Sequence, residues 1–214
     1  MMAAAALAAW TLALHAAEPS SQQTEQRCHD YTLRADKQIA SCTTLIGLYG
    51  NAAGNRGLLA LAFLARGSSH FRAGNRERAL ADYREAIRLD TVPIAGGEKD
   101  AALYNDRCWA RAVAQLELDE ALKDCNEALR LRADFVAALD SRAFLQLRRG
   151  RFRDALADYN AALKGNPTDP YSLFGRGVVK SRTGDAQGAK ADMAAATAVQ
   201  NGIAAEFLSF GITP

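Results

Sequence analysis

The chain of 214 residues is poor in aromatic side chains, at 7%, and has only five prolines and three histidines. Its four cysteines include no C-x-x-C pair, and no run of five or more like charges occurs. Each scarcity excludes something. Five prolines and sixteen glycines rule out a collagen-like or low-complexity chain. His15, His29 and His70 stand far apart, so no zinc site is expected. There is no G-x-x-x-x-G-K-[ST], no G-x-S-x-G and no H-E-x-x-H, which leaves no basis for a catalytic site or a cofactor. The stretch Gly175–Ser181 has a superficially phosphate-binding look but falls inside a helical pattern, where Gly177 has a packing role. With 26 basic and 24 acidic residues the net charge is +2, too small and too dispersed for nucleic-acid affinity.

What is present is a hydrophobic fraction of 49%, in which alanine is prominent. That composition suits closely packed helices and argues against a β-rich fold. Residues 1–17 carry no charged side chain and give way to the polar Glu18-Pro19-Ser20-Ser21. Apolar length and small terminal residues make this a signal-peptide reading, with cleavage after Ala16 or Ala17. An uncleaved anchor and a terminal helix docked on the body fit the same residues. An exported, periplasmic or secreted protein is expected, with no other membrane segment.

The strongest signal is repetition. Ala79-Leu80-Ala81-Asp82-Tyr83, Ala121-Leu122-Lys123-Asp124-Cys125, Ala155-Leu156-Ala157-Asp158-Tyr159 and Ala189-Lys190-Ala191-Asp192-Met193 share one pattern, with first alanines 42, 34 and 34 residues apart. Each is followed by a second alanine, at Ala86, Ala128, Ala162 and Ala196. Upstream stand Gly67, Cys108, Ala143 and Gly177, and between the two stretches lie Gly74, Gly150 and Gly184. The second unit has Gln115-Leu116-Glu117 in place of that glycine. Two helices that cross where small residues meet, joined by a glycine turn, explain the pattern. One such pair cannot bury its apolar face alone, so neighbouring pairs stack.

This pattern resembles the tetratricopeptide repeat. The resemblance implies an all-α, right-handed superhelical solenoid of about four helix–turn–helix repeats. We expect a signal peptide at 1–17, a polar linker at 18–26 and a degenerate leading unit at 27–56. The repeat solenoid follows at 57–214 and includes a terminal helix, Ile203–Phe210, that covers its last exposed face. The residues Thr91–Gly97 contain the excess between the first two repeats and are expected to form a loop.

Within the repeat, Cys108 takes the small-residue position of one helix and Cys125 the tyrosine position of the next. Close crossing would permit a Cys108–Cys125 disulfide, leaving Cys28 to pair with Cys42; four reduced, buried thiols are the alternative. Arg66, Arg107, Arg142 and Arg176 recur with Asp82, Asp124, Asp158 and Asp192, either as a ladder of ion pairs or as solvated surface charge.

The family's concave surface, built from first helices, holds peptides or partner proteins. Candidate partner-binding residues on it are Leu64, Phe71, Arg72, Trp109, Phe144, Arg148, Phe174 and Arg182, with Ser68, Asn105 and Asp140 at equivalent register positions. The lysine–asparagine pair by which some members clamp a chaperone's terminal carboxylate is missing: Leu64 with Ser68, Asp140 with Phe144 and Phe174 with Val178 stand there instead. The expected function is a non-enzymatic adaptor for a protein or peptide of unknown identity. The alternative is a structural subunit of an envelope complex or homo-oligomer, assembling through faces that include Phe207.

Overall fold

A computed structural model describes residues 20–50 and 53–214. The expected leader lies outside the described residues, as do Asn51 and Ala52. The described chain is all helical. A leading pair, α1 (Ser21–Cys28) and α2 (Ala35–Tyr49), precedes four pairs: α3 (Arg56–Arg72) with α4 (Arg76–Ala95), α5 (Ala101–Ala114) with α6 (Leu118–Leu131), α7 (Val136–Arg148) with α8 (Phe152–Gly165), and α9 (Pro170–Arg182) with α10 (Ala186–Val199). A short α11 (Ile203–Ser209) follows. Successive pairs stack, and the first helices α3, α5, α7 and α9 pack in series along one face.

Local chemistry explains the boundaries. Ser20 Oγ accepts from the Gln23 amide, and the Gln23 side chain accepts from the Ser20 amide, a reciprocal cap that starts α1. The stretch expected as a polar linker is therefore helical from Ser21 onward. Asp100, Asp169 and Asp185 cap α5, α9 and α10. Gly74, Gly150 and Gly184 end α3, α7 and α9 with φ of +76°, +72° and +91°. After each, the next amide donates to a carbonyl five residues back, as Asn75 does to His70. In the second unit Gln115 adopts this left-handed conformation, at φ +59°, and Glu117 follows at +45°.

The expected loop at Thr91–Gly97 is corrected: α4 continues through Pro93 to Ala95. Pro93 sits in the last turn, where the helix loses one bond and then ends. The Gly97 amide donates to Ile94 O and the Glu98 amide to Pro93 O, with Gly97 at φ +93° closing the turn. The helical path also places Thr91 opposite α5, and it is used there.

The recurring arginines and aspartates form the ladder. Arg66–Asp82, Arg107–Asp124, Arg142–Asp158 and Arg176–Asp192 are each bidentate, with N–O distances between 2.6 and 2.9 Å. Each arginine joins the two helices of its own unit. Its remaining nitrogen donates backward into the preceding unit: to Thr43, Thr91, Asn126 and Asn160 at 3.2, 3.2, 2.9 and 3.0 Å. One guanidinium thus sets both the helix crossing and the stacking between units. Close approach does the rest. A Cβ on Gly67 would meet the Tyr83 ring at 3.2 Å, and one on Gly177 would meet Met193 Cγ at 2.8 Å. At Cys108 and Cys125 the Cα atoms lie 5.4 Å apart, and at Cys28 and Cys42 4.6 Å, with both pairs of sulfurs at disulfide-bonding distance.

The main apolar core runs from Leu64 to Ile212, through all four pairs and α11. The expected terminal helix is present and packs against α9 and α10 of the last unit. It also turns back into the concave face and reaches α3 at the far end of the array. Ile203, Phe207 and Phe210 at spacings of four and three make one apolar stripe, and the aromatic wall of the first helices helps to bury it.

Candidate concave binding face

The first helices bring the expected aromatic positions to one wall, and the chain's own C-terminal segment lies on it. Phe210 sits edge-on to Phe71, Trp109 and Phe144, with ring centroids at 6.1, 5.9 and 6.0 Å. Phe207 lies 4.8 Å from Phe174 and 5.9 Å from Phe144. Such edge-to-face contacts add to the burial of each ring. Phe71, Phe144 and Phe174 are consequently buried, as is Leu64, and none presents a free surface. The assembly contact expected at Phe207 is likewise closed, since only 1% of that residue is exposed.

The arginines divide. Arg148 donates to Phe210 O at 2.6 Å, and Arg182 donates to Thr213 O at 2.9 Å, so both grip the backbone of the C-terminal segment. Burial, followed by the charge of Arg76, pushes the Arg148 guanidinium down to about 10. Arg72 points toward the leading unit, donating to Tyr31 O at 3.1 Å and also to Gln38 and Ser69. Six of the eight expected positions therefore touch the C-terminal segment; Arg72 and Leu64 are taken up by internal packing.

What stays open is a cleft of about 690 Å³ beside α11. Tyr31, Trp109 and Tyr171 form its aromatic walls, and Ser68, Asn105, Asp140 and Ser141 line it with polar groups. Arg132, Asp134 and Asp169 stand around it, so carboxylates outnumber cations. Arg132 stacks on the Phe135 ring at 3.3 Å. Asp140 accepts from Ser172 Oγ at 2.8 Å. Burial pushes its carboxyl up to about 8, and the nearby charge of Asp169 adds to the rise. Trp109 is half-buried and belongs to both regions: one edge meets Phe210, and the ring borders the cleft.

Ser68, Asn105, Trp109 and Asp140 were legible from repeat register. Tyr31 and Tyr171 were not, because they come from the loop before α2 and the start of α9. A tyrosine just after the Asp169-Pro170 cap was the available signal for Tyr171. Among the described residues no group of three or more His, Cys, Asp or Glu side chains is arranged to hold a metal. No helix among them is long and apolar enough to cross a membrane.

The tetratricopeptide-repeat family model matches residues 60–92, which span most of α3 and α4. Several solved structures are similar. One is YrrB, described as a TPR protein with an unusual peptide-binding site, at 15% identity and a TM-score of 0.45, with 82% of each chain covered. A tetratricopeptide-repeat protein from Parabacteroides merdae shares 16% identity at a TM-score of 0.45, covering 89% of this chain and 73% of its own. MamA shares 14% at a TM-score of 0.44, covering 87% of this chain and 98% of its own.

Proposed function

Taking as premise that this is a tetratricopeptide-repeat protein, we propose that it is a non-enzymatic adaptor whose peptide ligand enters the open cleft of the concave face. The observation that carries this reading is the cleft itself: about 690 Å³ walled by Tyr31, Trp109 and Tyr171. Aromatic side chains that face an opening, ringed by polar groups, are what peptide-binding surfaces use as anchors. The excess of Asp134 and Asp169 over Arg132 favours a ligand with a basic side chain. A cation brought beside Asp140 would offset the burial that now holds its carboxyl protonated.

The test is selection from a displayed peptide library, followed by titration of the enriched sequences. Basic peptides that bind the parent and lose about tenfold or more in affinity for a folded Trp109→Ala variant support the reading. Enriched peptides that bind both proteins equally place recognition elsewhere.

Export belongs to the same reading. Two cysteine pairs at bonding distance, behind an apolar leader, fit an oxidising compartment. Thiol labelling of denatured, unreduced protein should find no free cysteine; four labelled thiols would contradict export and the disulfides together.

A further inference from the structure

The bed of α11 is the part of the concave face that no ligand reaches while the C-terminal segment is in place. We infer that residues 203–214 are an intramolecular ligand, and that the bed beneath them docks a partner's short helix with the spacing aliphatic-x-x-x-Phe-x-x-Phe. This rests on the concave face being the binding face, but not on the open cleft being its site.

Three observations separate this segment from an ordinary core helix. First, the arginine contacts reach backbone carbonyls, Phe210 O from Arg148 and Thr213 O from Arg182, which also donates to Thr213 Oγ1 at 3.0 Å. A guanidinium that reads a carbonyl holds any chain placed there, which is how grooves hold peptides. Second, the segment is one-sided: Ile203, Glu206, Phe207, Phe210 and Ile212 are buried, whereas Ala204, Ala205, Leu208 and Gly211 are exposed. That is the one-sided pattern of a docked amphipathic helix, and the exposed Asn201-Gly202 joins it to α10. Third, the occupant is imperfect. Glu206 is 1% exposed. One of its oxygens accepts from Gln200 at 2.9 Å, and the other has no hydrogen-bond partner. Burial pushes this carboxyl up. A buried acid with an unpartnered oxygen weakens docking. A helix of equal spacing with a neutral amide at that position is a better occupant, so α11 is displaceable by design of its own sequence.

The experiment keeps the whole chain. A protease site placed at Asn201-Gly202 is cut after folding, leaving α11 bound but no longer tethered. Fluorescein-labelled peptide of residues 203–214 is then added, and anisotropy is followed in cut and uncut protein, with circular dichroism recorded after exchange. Uptake by the cut protein and not by the uncut one, with helicity retained, is expected. An E206Q peptide should compete at about a tenfold lower concentration. Loss of helicity on release, or no uptake by cut protein, would overturn the proposal and make α11 a permanent core element. Dimers of uncut protein that exchange α11, seen as a doubled mass in light scattering with no peptide uptake, would overturn it in favour of a second copy as occupant. Each readout is independent of the cleft peptides, so either reading can fail alone.

Discussion

At the scale of single residues, one arginine per unit carries more of the architecture than any apolar side chain. Arg142 holds Asp158 with two bonds of 2.7 Å and reaches back to Asn126 at 2.9 Å. Replacing Asp158 by Asn leaves that guanidinium short of a charge partner. Thermal or urea unfolding should show a loss of roughly 2–3 kcal/mol, below the 3–5 kcal/mol of a fully buried pair because Arg142 keeps some solvent. No loss would mean the ladder is surface charge. The arginine–aspartate half of this ladder was legible from the sequence because both partners recur with the repeat. The backward bond was not, since Thr43, Thr91, Asn126 and Asn160 differ in type and only the stacking brings them into reach.

Asp90 offers a second residue-scale test. It is 1% exposed on α4, one carboxylate oxygen is unpartnered, and burial followed by the charge of Asp106 pushes it up to about 8. A carboxyl raised in the folded state binds more protons there than in the unfolded chain. Its contribution is therefore present below about pH 4 and is lost as pH rises toward 8. Asp90→Asn should flatten the fall of stability over that window, measured as melting temperature against pH. An unchanged slope would assign the fall to other carboxyls.

At the scale of elements, the turns show what repeat reading can and cannot reach. Three glycines with positive φ end α3, α7 and α9, and each was visible as a glycine at constant spacing. Gln115 does the same work at φ +59°. A left-handed conformation costs a residue with a Cβ about 1–2 kcal/mol. Gln115→Gly should therefore raise stability by roughly 0.5–1 kcal/mol, the entropy of glycine cancelling part of the gain. A drop would show that the Gln115 side chain matters more than its backbone. In the other direction, α4 exceeded its expected length because Thr91 bonds both Ile87 O and Arg107 when helical. A proline and two glycines signalled a loop, and tertiary contacts carried the helix past the proline. The cysteine pair of α5 and α6 closes a loop of 17 residues, worth about 3 kcal/mol in the chain-entropy model.

At the scale of the whole molecule, the solenoid, its unit boundaries and its concave wall follow from one period in the sequence. The destination of the last helix does not. Ile203, Phe207 and Phe210 mark α11 as amphipathic, but no local signal distinguishes the end of a stack from the groove it encloses. The helix reaches into the groove because the groove offers Phe71, Trp109, Phe144 and Phe174 as a matching aromatic wall. The concave face is thereby divided: one part closed by the chain itself, the other open as the cleft. Trp109 borders both.

The chain has two tryptophans, Trp10 and Trp109, so protein beginning at Glu18 carries a single indole at that boundary. Its emission, titrated with a library-selected peptide, is the most direct measurement of whether ligands take the cleft. A saturable shift that follows the binding curve, and weakens with Asp140→Asn, is expected. Tight binding of the same peptide with no change in Trp109 emission would contradict it.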